Sequence, residues 1–228
     1  MRQLALGVKL RSDAVFASFA PGANAEVLAA LKAASRDPVW LWGNRGCGKT
    51  HLLQAVCADA GEGAAYFPLD RRLALPTEAL KGFAGRGVLC VDDLDAVAGD
   101  LDWEQALFRL FNEACELRTR LIFAAGAAPR HIEWRLDDWR SRAAACLVYQ
   151  VRELDEPGRA EALRLRAAQR GLELPAETLE YLMKRVPRDL PSLLDLLDEL
   201  DEASLVAQRR LTVPFIRDAL EKHARTKS

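Results

Sequence analysis

Hydrophobic spacing along the chain changes character near residue 153. Before that point short apolar runs alternate with amphipathic stretches. Pro38 to Trp42, Ala64 to Leu69, Gly87 to Val91, Leu121 to Ala125 and Cys146 to Val151 read as strands. Asn24 to Ser35 carries Val27, Leu28 and Leu31 on one face. Lys49 to Ala60 ends at Gly61, and Trp103 to Leu117 aligns Ala106, Leu107, Leu110, Phe111 and Ala114 in one stripe. These three stretches predict helices, and a short helix follows Pro76. Asp92 and Asp93 terminate the Gly87–Val91 run, as expected of a buried parallel strand. Strands alternating with helices imply βαβ units, hence an α/β domain with a central parallel sheet flanked by helices.

After about residue 152 the strand pattern stops. Glu156 to Arg170, Pro175 to Val186, Asp189 to Gln208 and Val213 to Ala224 all read as helices. Gly171 suits a C-cap, and Pro175 and Pro191 suit helix starts. Leu190, Leu193, Leu194, Leu197, Leu200 and Ala207 form one apolar stripe. Three segments follow: a flexible tail over 1–12, an α/β core over 13–153, and a small all-helical domain over 154–228.

Composition narrows the partners. Lys plus Arg is 32 against 33 for Asp plus Glu, a net charge of -1. A general nucleic-acid coat needs a basic excess, so any role on DNA is expected to run through partners. The five cysteines are odd in number and form no CxxC pair, which suits reduced, mostly buried thiols in a cytoplasmic protein. Three widely spaced histidines give no zinc pattern. No apolar run approaches the ~18 residues of a membrane span, and the N-terminus lacks a secretory h-region.

The sharpest chemical signal is Gly43-Asn44-Arg45-Gly46-Cys47-Gly48-Lys49-Thr50, a complete G-x-x-x-x-G-K-[ST] between an apolar run and a helix. Glycines let backbone N–H groups converge on phosphate oxygens, and the helix N-terminus favours an anion. Lys49 is expected to reach β and γ phosphates and the Thr50 hydroxyl to ligate Mg²⁺. Asp92, at the end of a buried strand, is the candidate second magnesium group. Asp93 is placed to orient an attacking water, although Asp is a methylene shorter than Glu, which leaves its reach open.

With these motifs in place the chain resembles the AAA+ family, DnaA-like branch, and within it the short regulatory members that inactivate the initiator DnaA. The resemblance spans nearly the whole chain. Phe16-Ala-Ser-Phe-Ala-Pro-Gly-Ala-Asn24 is similar to the segment that lies near the adenine in that family, through Phe16, Phe19, Gly22 and Asn24. The P-loop followed by His51 resembles the branch's G-K-T-H. Asp102 to Asn112 resembles the helix after the second acidic motif. Asp138-Trp-Arg-Ser-Arg142 resembles the arginine-finger segment, and Ala207 to Phe215 the ending of the short members. The resemblance implies an AAA+ core with a helical lid that binds ADP or ATP with Mg²⁺. It also implies a negative regulator of replication initiation that, with the DNA-loaded β sliding clamp of DNA polymerase III, stimulates ATP hydrolysis by DnaA. Arg142 would be the finger acting in trans; the protein would meet DNA only through partners, and a homodimer is compatible with the family. Gln3-Leu4-Ala5-Leu6-Gly7-Val8 resembles a clamp-binding peptide, with Gln3 polar and Leu4, Leu6 and Val8 supplying apolar area.

Two departures stand out. No polar side chain occupies Ala124 to Gly126, where the family reads the γ-phosphate, and Pro191 falls where a lid arginine is expected, leaving Arg188 as a substitute. Both predict firm nucleotide binding with feeble hydrolysis. Two alternatives stay open on sequence alone: a helicase-loader-type or other P-loop ATPase acting on its own, and a small-molecule kinase, for which no arginine-rich lid lies between the core strands.

Overall fold

The computed structural model describes residues 13–70, 76–185, 189–207 and 211–218. The chain divides into two compact units, Met1–Glu153 and Leu154–Ser228.

The first unit is built on five parallel strands: β1 (Val39–Trp42), β2 (Ala64–Pro68), β3 (Val88–Asp92), β4 (Arg120–Ala125) and β5 (Leu147–Gln150), in the order β2-β3-β4-β1-β5. Successive strand residues point to opposite faces, so each strand sorts its own side chains. Trp40, Phe67, Leu89, Val91, Leu121 and Phe123 form one face, packed with α3 (Leu101–Glu116) and α4 (Asp137–Ala144). Val39, Leu41, Cys90, Ile122 and Ala124 form the other, packed with α1 (Ala25–Lys32) and α2 (Lys49–Ala60). The strands read as unbroken apolar runs because both faces are covered. All strands run one way, so the residues after β1, β3, β4 and β5 emerge along one edge, where α/β sheets usually bind ligands. β4 lies between β1 and β3, which puts its exit between the P-loop and the paired aspartates.

Local chemistry explains where the elements depart from the hydrophobic pattern. α3 begins at Leu101 rather than Trp103 because the Asp100 side chain accepts hydrogen bonds from the N–H groups of Asp102 and Trp103. The segment around Arg142 is a full helix, α4, anchored by Trp139 at 0% exposure. Trp134 and Trp139 are core residues in a ring cluster with Trp40 and Phe123. β5 is an edge strand, with Leu147 and Val148 exposed. Cys115 is exposed, whereas Cys47, Cys57, Cys90 and Cys146 are buried, and all five are free thiols.

The second unit contains α5 (Glu156–Gln169), α6 (Ala176–Arg185), α7 (Leu190–Ala207) and a helical stretch over 213–218. Leu163, Leu179, Leu182, Leu193, Leu197, Leu200 and Ile216 meet in its core. Each such side chain contributes ~1.5–3 kcal/mol by leaving water. Asp155 caps α5 through Gly158 N–H, and Asp189 accepts Ser192 N–H at the start of α7. Arg166 pairs in a fork with Asp198, at 3.0 and 2.6 Å. Among the described residues no helix is long and apolar enough to cross a membrane.

Candidate nucleotide site and arginine segment

β1 delivers the chain into the glycine-rich loop, and close packing dictates the glycines. A Cβ on Gly43 would stand 2.3 Å from the Val151 carbonyl oxygen. Gly48 sits at φ +103°, and a Cβ there would meet the Phe19 ring at 2.8 Å. Gly48 also starts α2, and no side chain caps that helix end. Its first amides are therefore suited to an anion. The Lys49 ammonium donates to the carbonyls of Gly43 (2.7 Å) and Asn44 (3.0 Å), so it lies within the curl of the loop. Asn44 donates to Glu153 at 2.8 Å, Arg45 is exposed, and Cys47 is buried beneath the loop. Burial pushes the Cys47 thiol up, partly offset by Lys49.

The acidic end of β3 faces the start of α2. Asp92 is 1% exposed. Its Oδ2 accepts from the Thr50 hydroxyl at 2.7 Å and from the Tyr66 phenol at 2.8 Å, while Oδ1 accepts from Asp93 N–H at 3.0 Å. Tyr66 sits opposite Cys90 in the β2–β3 register and so shares a sheet face with Asp92. Burial, reinforced by Asp92, raises the Tyr66 phenol far above its ordinary range and keeps it a donor. Thr50 and Asp92 form the oxygen pair suited to a hard cation that takes its remaining ligands from phosphates and water. Among the described residues no cluster of three or more His, Cys, Asp or Glu could hold a metal ion. The loop, the uncapped helix end and this oxygen pair together fit a nucleotide with magnesium.

Asp93 adopts the left-handed conformation, φ 56°. Burial first, then Asp92, Asp95 and Asp70, raises its carboxyl to about 6, with Lys49 opposing. The exit of β4 holds no polar side chain of its own. A Cβ on Gly126 would stand 2.8 Å from Asp95 Oδ2, so the polar group at that spot belongs to Asp95 from the turn after β3.

The segment before α1 wraps the loop from outside. His51 Nε2 lies 3.1 Å from the Val15 carbonyl and 3.2 Å from Ser18 Oγ, and its ring lies 5.7 Å from Phe19. Phe19 therefore touches both Gly48 and His51. Phe16 is half-buried against the same core, with the Lys32 ammonium 5.2 Å from its ring. Asn24 is buried, and both ends of its amide bond the Arg152 backbone, at 2.7 and 3.0 Å. Asn24 and His51 thus act as ties to backbone, and the aromatic rings form the wall.

Arg142 is exposed in the last turn of α4, its guanidinium 5.8 Å from the Phe111 ring and 5.9 Å from the Phe108 ring. Arg140 pairs with Asp137 at 2.7 Å on the surface. Arg188, Gln3, Leu4, Leu6 and Val8 lie outside the described residues. Sequence patterning missed Tyr66 and Glu104. Glu104 is fully buried and accepts N–H groups of Gly99, Arg135 and Leu136 at 2.7–2.8 Å. The signal was available for both: a tyrosine two residues before Pro68, the register partner of the strand-end acid Asp92, and a carboxylate one turn before Leu107 and Phe108 on α3.

Comparison with known proteins agrees with this geometry. Residues 155–220 match the model of the Hda lid domain, and residues 39–118, which carry the P-loop and the paired aspartates, match a model described as RNA helicase. Domain III of DnaA from Thermotoga maritima superposes with a TM-score of 0.78, at 22% identity over 94% of this chain and 98% of that one. AMPPCP-bound DnaA from Aquifex aeolicus gives 0.60 at 23% identity, covering 77% of this chain and 61% of that one. The RuvB Holliday junction branch migration motor of Thermotoga maritima gives 0.60 at 16% identity, covering 81% and 61%. At such identities the structural likeness establishes the fold. The chain thus shares the fold of DnaA domain III, a five-stranded parallel sheet flanked by helices, and its residues 155–220 are similar to the Hda lid domain.

Proposed function

We propose that this chain is a regulator of bacterial DNA replication initiation that binds ADP or ATP with Mg²⁺ and, together with the DNA-loaded sliding clamp, stimulates ATP hydrolysis by DnaA. The observation that carries the reading is the pairing of an Hda-type lid over residues 155–220 with an exposed Arg142 at the end of a helix held to the core by Trp139 and Ala143. A finger arginine acts by meeting charge that spreads over phosphoryl oxygens in the transition state. It must therefore be exposed and its helix fixed, and α4 meets both conditions. Lys49, Thr50 and Asp92 would hold the chain's own nucleotide and metal, with Phe16 and Phe19 walling the base side. The acid-rich surroundings of Asp93 and the lack of a polar side chain at Ala124 to Gly126, where β4 ends, support a site that binds more than it turns over. Gln3, Leu4, Leu6 and Val8 would dock on the clamp.

The test is a reconstituted assay with clamp on DNA, ATP-loaded DnaA and this protein. Arg142→Ala should lower the maximal stimulated rate by ~10²-fold or more. Gln3→Ala should shift the clamp concentration required without altering ADP affinity. Stimulation by Arg142→Ala equal to wild type would end the proposal. The intact Lys49, Thr50 and Asp92 set favours one rival, an ATPase acting on its own, which requires turnover near the ~1 s⁻¹ of ordinary enzymes without DnaA.

A further inference from the structure

α3 presents Glu104, Phe108 and Phe111 to α4 at spacings of four and three residues, so they lie along one helix face. Glu104 is 0% exposed. Its Oε2 accepts from Arg135 N–H (2.8 Å) and Leu136 N–H (2.7 Å), and its Oε1 from Gly99 N–H (2.8 Å). Leu136 is the N-cap residue of α4 and has an apolar side chain that cannot cap. The carboxylate supplied by α3 instead holds the two backbone N–H groups that lead into α4, at the helix end where the backbone dipole favours negative charge. One and two turns further along α3, Phe108 and Phe111 place their rings 5.9 and 5.8 Å from the Arg142 guanidinium. Between these contacts Trp139 and Ala143 are completely buried. One face of α3 thus fixes both the start of α4 and the resting place of its arginine.

We infer that Glu104 is a positioning residue for Arg142: by anchoring Arg135 and Leu136, which lead into α4, it sets where the arginine meets a partner ATPase's bound nucleotide. This rests on the trans-acting reading of Arg142 above. A buried carboxylate with a merely structural role would affect melting and nucleotide binding together. A positioning role predicts a selective loss in the rate delivered to the partner. In Glu104→Gln the shape is kept, but one oxygen becomes an NH₂ that faces a backbone donor, at Gly99 or at the start of α4.

The experiment uses the full chain in the clamp and DnaA assay, with ADP affinity measured in parallel. Glu104→Gln should lower the maximal stimulated rate ~10–100-fold, the scale of a misplaced reacting group. Its half-saturating concentration and ADP affinity should stay near wild type, the pattern of an interaction made only in the transition state. Phe108→Leu, which leaves the Glu104 contacts intact, should lower that rate ~2–5-fold. Full stimulation by Glu104→Gln, or a loss explained by weaker ADP binding or weaker docking, overturns the inference. Should Glu104→Gln fail to fold, Glu104→Asp, which keeps the charge but withdraws it by one methylene from the Arg135 and Leu136 N–H groups, decides, and an unchanged maximal rate overturns the inference. A wild-type protein that does not stimulate DnaA refutes the proposed function itself, and the inference with it.

Discussion

Asp93→Asn should stabilise the first unit, and the gain should depend on pH in a defined way. The carboxyl is crowded by burial and by Asp92, Asp95 and Asp70, which raise it from an ordinary 3.8 to about 6. A rise of roughly two pH units, at ~1.4 kcal/mol per tenfold change in ionisation, corresponds to ~3 kcal/mol of destabilisation once the group is charged. Asp93 is half-buried, and solvent screening reduces this to ~1–2 kcal/mol. The folded value lies above the unfolded one, so the folded state holds its proton longer. Wild type therefore loses stability relative to the variant as pH climbs from about 4 to about 6, and the gap is constant above that. Asparagine tolerates the left-handed backbone that Asp93 adopts, so no strain offsets the gain. All five tryptophans, Trp40, Trp42, Trp103, Trp134 and Trp139, lie in the first unit. Tryptophan fluorescence during urea unfolding, in EDTA and without nucleotide, thus reports that unit alone. A gap already complete at pH 4.5, or a variant less stable than wild type at pH 8, would refute the electrostatic account.

Other expectations follow from single contacts. Trp40 and Trp139 are both fully buried, but Trp40 Nε1 donates to Ala127 O at 3.1 Å whereas Trp139 Nε1 has no partner among the described residues. Trp40→Phe should therefore cost ~1 kcal/mol more than Trp139→Phe in thermal unfolding; equal losses would contradict the bonding pattern. Gly48→Ala should cost ~1–3 kcal/mol in strain at φ +103°, and Phe19→Leu in that background should recover only part of it, measured by urea unfolding. In the second unit, Asp198→Ala strips Arg166 of its bidentate acceptor and Arg170 of one of its two acidic partners. That should cost ~2–4 kcal/mol locally, seen as faster amide exchange in α5 and α7 with no change in β1–β4.

Much of the fold was legible because its periodicities are strong. Strands covered on both faces, such as Val88–Asp92, read as unbroken apolar runs. Long amphipathic elements such as Leu101–Glu116 carry a full stripe. The P-loop was legible because its glycines answer backbone demands that no other residue meets, as at Gly43 beneath Val151. α4 was harder to see: only Trp139 and Ala143 of its eight residues are buried, and its N-terminal anchor is a carboxylate 32 residues earlier in the chain. Asn24 shows the same limit, since its partners at Arg152 are 128 residues away. The contact of Asp95 with Gly126, too, exists only because β4 lies beside β3. Periodicity reveals which face is buried; it does not reveal which distant backbone amide a buried polar group will meet.

The claim beneath the rest is that residues 43–50 grip an adenine nucleotide through backbone amides and Lys49. Titration calorimetry of the purified, nucleotide-stripped chain with ADP and ATP in the presence of Mg²⁺ tests it directly. The account predicts binding at micromolar concentration or tighter, ~8 kcal/mol or more, and a loss of ~100-fold or more in Lys49→Ala, which removes a charge-assisted contact to phosphate. Absence of binding by the folded wild type, or equal affinity in Lys49→Ala, would contradict it.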